Sequence, residues 1–308
     1  LDNDLATTAD NGSVTETFDV TVTVAVNPPV NVPYESVLNF TSNGLWLLNT
    51  SDGTRFTQST FAVWNPNAGW TSIVEGDFNG DGLMDVAGRS AIGQWWASLN
   101  NGDGTGGDGQ GGTAPVLMTY WRPSLGIENI VAGDFNGDGA TDVAGFASNG
   151  AWWVGFAKTG GEVGFTNMRV GGWLASFTFT SIQTGDFNGD GNTDIAGLAT
   201  TGQWFGLLGQ DGRGWTSQVL GFWNPSLNFS DDIVADDFNG DGRTDIAGRS
   251  EANVWYVATA NTDTIGFTTS VLGVWGATTW SSTTIGDFNG DGQADILARA
   301  ANGQWWGL

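Results

Sequence analysis

One six-residue string, Asp-Phe-Asn-Gly-Asp-Gly, occurs five times in this chain of 308 residues. The separations between consecutive copies are 57, 52, 51 and 50 residues, and the copies begin at Asp77, Asp134, Asp186, Asp237 and Asp287. Repetition at a nearly fixed period of this length is typical of propellers, solenoids and other repeat architectures. The chain is therefore built from units, and each unit must bury its apolar surface against its neighbours.

The features inside each unit come in the same order. A short apolar run follows the acidic string, and an aromatic pair begins 18 residues after the opening Asp in all five copies. These pairs are Trp95-Trp96, Trp152-Trp153, Trp204-Phe205, Trp255-Tyr256 and Trp305-Trp306. Turns rich in Gly, Asn, Asp and Pro separate the apolar runs. The pattern predicts short β-strands and no helix, with four strands to a unit.

A sixth, degenerate unit precedes these five. Residues 42–46 match residues 148–152, but Asn27-Pro28-Pro29 stands where the acidic string belongs. Residues 18–26 alternate as a β-strand does and take the place of the first strand of this unit. We therefore predict a first unit without an acidic loop.

Four-stranded units repeated radially form a β-propeller, in which each blade packs both faces against other blades. The prediction is an all-β fold of about six four-stranded blades over residues 20–308. Consecutive residues of a strand point to opposite faces, so the two members of each aromatic pair should contact different neighbouring blades. Residues 1–19 form an extended segment that is either a strand closing the last blade or the tail of a preceding immunoglobulin- or cadherin-like module.

The acidic loops have Asp at positions 1, 5 and 9, Asn at position 3 and Gly at positions 4 and 6. Oxygen ligands at alternate positions, with a backbone carbonyl from position 7, suit Ca²⁺, whereas Mg²⁺ demands tighter geometry and Zn²⁺ prefers nitrogen and sulfur. The first nine positions resemble an EF-hand loop, but Gly or Ala replaces the Glu of position 12. We predict about five calcium ions, with these ligand positions: Asp77, Asn79, Asp81, Leu83 and Asp85; Asp134, Asn136, Asp138, Ala140 and Asp142; Asp186, Asn188, Asp190, Asn192 and Asp194; Asp237, Asn239, Asp241, Arg243 and Asp245; Asp287, Asn289, Asp291, Gln293 and Asp295.

On these motifs the chain resembles the FG-GAP/VCBS repeats of integrin-α-like β-propellers over about residues 20–308. The resemblance implies that each acidic loop joins the first two strands of a blade and binds calcium there. The Gly-Ala-Pro signature of that family is replaced by Ala-Gly followed by Arg, Phe or Leu, and no metal-dependent insert domain is present. Integrin-like ligand recognition is therefore not implied.

Composition limits the function. The chain has no His and no Cys, which excludes imidazole and thiol chemistry, and 33 acidic against 9 basic residues give a net charge of −24. This charge opposes nucleic-acid and anionic-membrane binding, and no apolar run is long enough to insert into a membrane. With most Asp residues in the loops and no acid–base pair outside them, we expect a protein that is not an enzyme.

The expected function is an extracellular or cell-surface binding, adhesion or structural module of a larger surface or secreted protein. Its expected partners are calcium and a cell-surface protein or polysaccharide. One alternative is a calcium-dependent lectin, for which the later Trp residues of the units, near a blade edge, are the sugar candidates: Trp64, Trp121, Trp173, Trp223 and Trp275. Another alternative is self-association, as a subunit of an extracellular filament joined by strand exchange.

Overall fold

A computed structural model describes residues 20–22, 36–51, 55–102, 114–210, 214–276 and 279–308. The predicted closing strand or tail at residues 1–19, the Asn-Pro-Pro segment and most of the Gly-rich stretch 100–112 lie outside these ranges. In the described part of the chain the regular structure is β-strand together with three short 3-10 turns.

The strands are β1 (Val20–Val22), β2 (Ser36–Phe40), β3 (Leu45–Ser51), β4 (Phe56–Val63), β5 (Trp70–Gly76), β6 (Asp85–Ser90), β7 (Gln94–Ser98), β8 (Val116–Tyr120), β9 (Ile127–Gly133), β10 (Asp142–Ala147), β11 (Ala151–Ala157), β12 (Phe165–Gly172), β13 (Phe179–Gly185), β14 (Asp194–Ala199), β15 (Gln203–Gln210), β16 (Gly214–Phe222), β17 (Phe229–Asp236), β18 (Asp245–Ser250), β19 (Val254–Ala260), β20 (Phe267–Val274), β21 (Trp280–Gly286), β22 (Asp295–Ala300) and β23 (Trp305–Gly307). The 3-10 turns are Pro66–Ala68, Pro123–Leu125 and Pro225–Leu227, each just before the first strand of a sheet.

The strands form six antiparallel sheets in which chain order is also spatial order, and each sheet is one blade of a β-propeller. Blades one to five have four strands each, and the described part of blade six has three, β21-β22-β23. The first strand of each blade from two to five contacts the first strand of the following blade, as the radial repetition of a propeller requires. The all-β, six-bladed prediction is confirmed, and β1 occupies the predicted place of the first strand of blade one.

The hydrophobic core lies between blades. Among the described residues, buried apolar side chains form five clusters, one at each junction of consecutive blades from one to six. The aromatic pair of blade four divides as predicted. Trp204 contacts Phe267 of blade five, whereas Phe205 contacts Trp173 of blade three. Blades two to five are therefore each stabilised by two neighbouring blades.

At the first four junctions the later Trp of a unit packs on a glycine of the next blade. Trp173 of blade three contacts Gly197 on β14 so closely that a Cβ at Gly197 would lie 2.7 Å from its ring. The same contact recurs for the glycines at position 12 of three other loops: Gly88 against Trp64, Gly145 against Trp121 and Gly248 against Trp223. Glycine at position 12 therefore makes room for an indole ring.

We expect Gly197→Ala to destabilise the protein, because an added methyl group overfills a closely packed junction at a cost of about 1–3 kcal/mol. The measurement is the free energy of unfolding in urea. Gly276→Ala is the matched control, because a Cβ there meets no atom within 4 Å. Equal stability of the two variants would contradict this account of position 12.

Candidate metal centre

The five acidic loops join the first and second strands of blades two to six, at one end of the propeller. Loop residues 77–84, 134–141, 186–193, 237–244 and 287–294 lie between these strands, and the Asp of position 9 is the first residue of the second strand. The glycines of positions 4 and 6 adopt left-handed backbone angles, with φ of 73° at Gly80 and 83° at Gly82. Glycine is the residue that takes such angles without steric cost.

The carboxylate at position 1 organises each loop. In the first loop Asp77 Oδ1 accepts hydrogen bonds from the amides of Gly80 (2.7 Å) and Asp81 (3.0 Å), and Oδ2 accepts one from Gly82 (2.7 Å). Asp81 Oδ1 accepts a hydrogen bond from the amide of Leu83 at position 7. The other four loops repeat the bonds to position 1 within about 0.2 Å. The sequence motif therefore specifies one loop conformation.

The carboxylate at position 9 is buried in four loops. Asp85, Asp142, Asp194 and Asp245 are at most 1% exposed. In the first three of these residues, one carboxylate oxygen accepts the backbone amide of position 2, and the other accepts a backbone amide at the end of the third strand or just after it. In Asp85, for example, Oδ2 accepts the amide of Phe78 (2.9 Å) and Oδ1 accepts the amide of Asn100 (2.7 Å). In the fourth loop Asp245 Oδ1 accepts the amide of Ala260 (2.7 Å), whereas among the described residues no well-formed hydrogen bond reaches its buried Oδ2.

Burial makes these carboxyl groups hard to ionise. It raises the pKa of Asp85, Asp142 and Asp194 to about 8 and that of Asp245 to about 7. Hydrogen bonds from backbone amides oppose this effect, and the negative charges at positions 1 and 5 of the same loop add to it. An ionised carboxylate at position 9 therefore needs a compensating positive charge.

The residues present fit a hard cation. The side-chain ligands in each loop are all oxygens, and a carboxylate oxygen that accepts one amide keeps a further lone pair. In the described part of the chain, no three acidic side chains already surround a common point that could hold a metal ion. The carboxylates at positions 1 and 5 bond instead to the amides of their own loop, and the position 7 carbonyls stay predicted ligands.

The fifth loop is more open than the others. Phe288 at its position 2 is 53% exposed, whereas the equivalent Phe78, Phe135, Phe187 and Phe238 are at most 7% exposed. Asp287 is exposed, and hydrogen bonds from the loop amides, first that of Gly292, lower its pKa. The fifth loop therefore lacks the buried setting that the other four share.

Consecutive loops are joined by hydrogen bonds from one blade to the next. The amide of Asp77 donates to Thr141 Oγ1 (3.0 Å), and the amide of Thr141 donates to the carbonyl of Asp77 (2.6 Å). Thr244 at position 8 of the fourth loop bonds in the same way to Asp186 of the third. The sequence analysis assigned no role to position 8, although the Thr in three of the five copies could have indicated this one.

The family comparison agrees with this geometry. A model described as an FG-GAP-like repeat matches residues 77–145, 134–197 and 237–298, which together make up more than half of the chain. The chain belongs to the FG-GAP-like repeat family. Each matched range begins with an acidic loop and ends 11 residues after the opening Asp of the next one, so the family model spans one loop-to-loop unit.

Two solved structures share the propeller fold with this FG-GAP-like chain. BP39L lectin from Burkholderia pseudomallei is 14% identical, with a TM-score of 0.59, and the match covers 92% of this chain and 79% of that one. BBS1N in complex with ARL6DN is 10% identical, with a TM-score of 0.51, covering 94% and 78%. Likeness at these identities shows the fold alone. No curated protein sequence matches the chain.

The sugar candidates at the blade edges were placed wrongly. Trp64, Trp121, Trp173, Trp223 and Trp275 are between 1% and 7% exposed. They are buried because each indole ring packs against a residue of the next FG-GAP-like blade, as Trp64 packs against Gly88. These five indoles belong to the core and offer no free face to a sugar.

We expect the metal-free protein to lose stability as pH rises from about 5 to about 8. A carboxyl group whose pKa is about 8 when folded and near 4 when unfolded binds more protons in the folded state across this window, so unfolding becomes easier as pH rises. The measurement is the urea midpoint against pH in excess chelator. Asp194→Asn should reduce the slope by about one proton. A midpoint that stays constant or rises would contradict the burial argument.

We expect Thr141→Val to lower the free energy of unfolding by about 1 kcal/mol, because it removes the hydroxyl that accepts the Asp77 amide while keeping the side-chain shape. Thr141→Ser keeps that acceptor and is the control. The comparison uses urea denaturation of the three proteins. A loss in the Ser variant as large as in the Val variant would show that packing, not the hydrogen bond, joins these loops.

Proposed function

We propose that this protein is an extracellular or cell-surface β-propeller stabilised by calcium, which serves as a binding, adhesion or structural module of a larger surface or secreted protein. The observation that carries the proposal is the buried Asp at the base of four acidic loops. A carboxylate so placed, with two more on its loop, is stabilised as an anion by a divalent cation. The oxygen ligands favour calcium among the common metals.

The energetics support a structural role for the metal. Calcium at ten times the Kd of a site stabilises the folded protein by about 1.4 kcal/mol, or about 7 kcal/mol for five independent sites. This is comparable to the whole ~5–15 kcal/mol stability of a typical domain. Five divalent ions would also bring the formal charge from −24 to about −14 and so reduce self-repulsion.

The proposed extracellular location agrees with the weak calcium affinity that we expect of these loops. The loops lack the bidentate Glu that completes an EF-hand, and calcium sites of extracellular modules have Kd values of about 0.1–1 mM. Such sites fill where calcium is millimolar, which is the condition outside cells. Among the described residues, no helix is both long and apolar enough to cross a membrane.

The test is thermal unfolding with millimolar calcium and with excess chelator. We expect a large fall in Tm on chelation, and Asp194→Asn should lose about 1.4 kcal/mol of the calcium-dependent stabilisation. Asp263→Asn removes an exposed carboxylate outside the loops and should keep all of it. Identical melts with and without calcium would refute the proposal.

Carbohydrate binding is a second candidate function. Its basis is a cavity at the junction of blades one and two, lined by Trp70, Trp96 and amide side chains. The similarity to BP39L lectin contributes the fold alone, since sequence identity is 14%.

Self-association is a third candidate. Trp305 and Trp306 of blade six are 58% and 40% exposed, whereas Trp95, Trp152, Trp204 and Trp255, which are equivalent to Trp305, are fully buried. A strand or blade from a second copy could cover these rings. Mass photometry at raised calcium tests this: assemblies larger than one chain support strand exchange, and a monomer at micromolar concentration refutes it.

A further inference from the structure

A cavity of about 530 Å³ lies at the junction of blades one and two, which we name the blade 1–2 cavity. Its walls are Trp64, Trp70 and Trp96, and its polar lining includes Asn65, Asn67 and Gln94. The turn before β5 and the turn between β6 and β7 place it at the end of the propeller opposite the acidic loops. It is thus separate from the candidate metal sites.

The indole rings in the cavity are held in position. Trp64 is buried and contacts Trp70 with ring centroids 4.5 Å apart, and its Nε1 donates to Ser98 Oγ. Trp70 Nε1 donates to the carbonyl of Asn65 (3.1 Å), and Trp96 Nε1 donates to Gln94 Oε1 (3.3 Å). Trp70 and Trp96 are half-buried, so each keeps part of its ring surface accessible. A ligand would meet a preformed aromatic wall.

The polar groups retain hydrogen-bonding capacity. Asn65 Oδ1 accepts the amide of Asn67, which fixes the 3-10 turn before β5. Among the described residues, no protein atom accepts a hydrogen bond from the side-chain amide nitrogens of Asn65, Asn67 or Gln94. Amide side chains offer both donors and acceptors to a ligand.

The charge of the lining restricts the ligand. Among the described residues that line the blade 1–2 cavity, none is ionisable, although the chain carries a net charge of −24. The cavity at the junction of blades three and four, of about 510 Å³, occupies the equivalent place but includes Arg169. A neutral ligand with one apolar face and several hydrogen-bonding groups matches the blade 1–2 cavity best, because acidic ligands would be repelled by the field of the whole protein.

We propose that the blade 1–2 cavity binds a neutral sugar residue of a polysaccharide. The C–H face of a pyranose ring would pack on Trp70 and Trp96, and its hydroxyl groups, each both donor and acceptor, would bond to Asn65, Asn67 and Gln94. The inference rests on the second candidate function above and names its site and ligand class. It does not depend on calcium reaching the cavity, since the acidic loops lie at the other end.

The test is isothermal titration of the full chain, in saturating calcium, with cellotriose, chitotriose and maltotriose, and with trigalacturonic acid as the charged comparator. We expect one neutral trisaccharide to bind with a stoichiometry of one and the uronate to bind at least tenfold more weakly. Gln94→Ala should weaken binding by about five- to tenfold, which corresponds to one lost hydrogen bond. Blade three has Ala151 at the equivalent position, so this fold accepts the substitution.

Two controls keep the result interpretable. Gln203→Ala makes the same change at the equivalent position of blade four and should bind like the unmodified protein. Trp96→Phe, which resembles Phe205 of blade four, should fold normally and bind severalfold more weakly because a smaller ring covers the sugar. Loss of binding in Gln203→Ala equal to that in Gln94→Ala would assign the site to another junction and overturn the proposal.

Failure of this inference is distinguishable from failure of the calcium-stabilised scaffold. If none of the three trisaccharides binds at millimolar concentration, or if a proline-rich peptide binds the cavity instead, the sugar site is refuted. The chelator melts test the scaffold by themselves. A chelator-sensitive protein that ignores sugars would refute the sugar site alone.

Discussion

The buried carboxylate at position 9 of the acidic loop is the constraint on which much of this structure depends. It begins the second strand of a blade. In three loops it accepts both the amide of position 2 and an amide at or just beyond the third strand, and in the fourth loop Asp245 accepts the third-strand amide of Ala260. It thus fixes three parts of a blade at one point. The same burial makes its ionised form costly, so the feature that organises the fold also creates a demand for positive charge. The order of the loop and the proposed metal binding therefore depend on the same residue.

At the junctions of blades two to five, two kinds of contact at opposite ends hold neighbouring blades together. At the loop end, the amide and carbonyl of position 1 bond to the residue at position 8 of the next loop, as between Asp77 and Thr141. At the other end, an indole such as Trp173 packs on a glycine of the next blade. One contact is directional and the other is shape-dependent. Together they set the rotation between blades, because neither tolerates a shift along the strands.

Sequence reasoning recovered what depends on local periodicity. The strands, the loop positions and the division of Trp204 and Phe205 between two neighbouring blades follow from strand alternation and the repeat. It placed Trp64 and its equivalents at an exposed edge, although they are buried, because burial there depends on a neighbouring blade that no single unit reveals. Position 12 shows the same limit. From the sequence, Gly88 indicated only that the calcium-binding Glu of an EF-hand is absent, whereas in the structure the missing side chain makes room for the ring of Trp64.

Two substitutions at the junction of blades five and six show that residues on the two sides of a junction depend on each other. In the first three loops the residue before position 1 is Gly, and a Cβ there would meet the Thr of position 8 of the next loop within 2.6 Å. At the fourth loop Asp236 replaces this Gly, and Ala294 replaces that Thr. The amide of Asp237, which loses a threonine acceptor, donates instead to Asp236 Oδ1 (2.8 Å). A larger residue on one blade is thus matched by a smaller one on the next, and the amide remains satisfied. In this protein, variation between blades is therefore matched by pairs of residues across a junction. The blade 1–2 cavity lies at the opposite end of its junction, so its lining can differ from that of other junctions without changing the acidic loops.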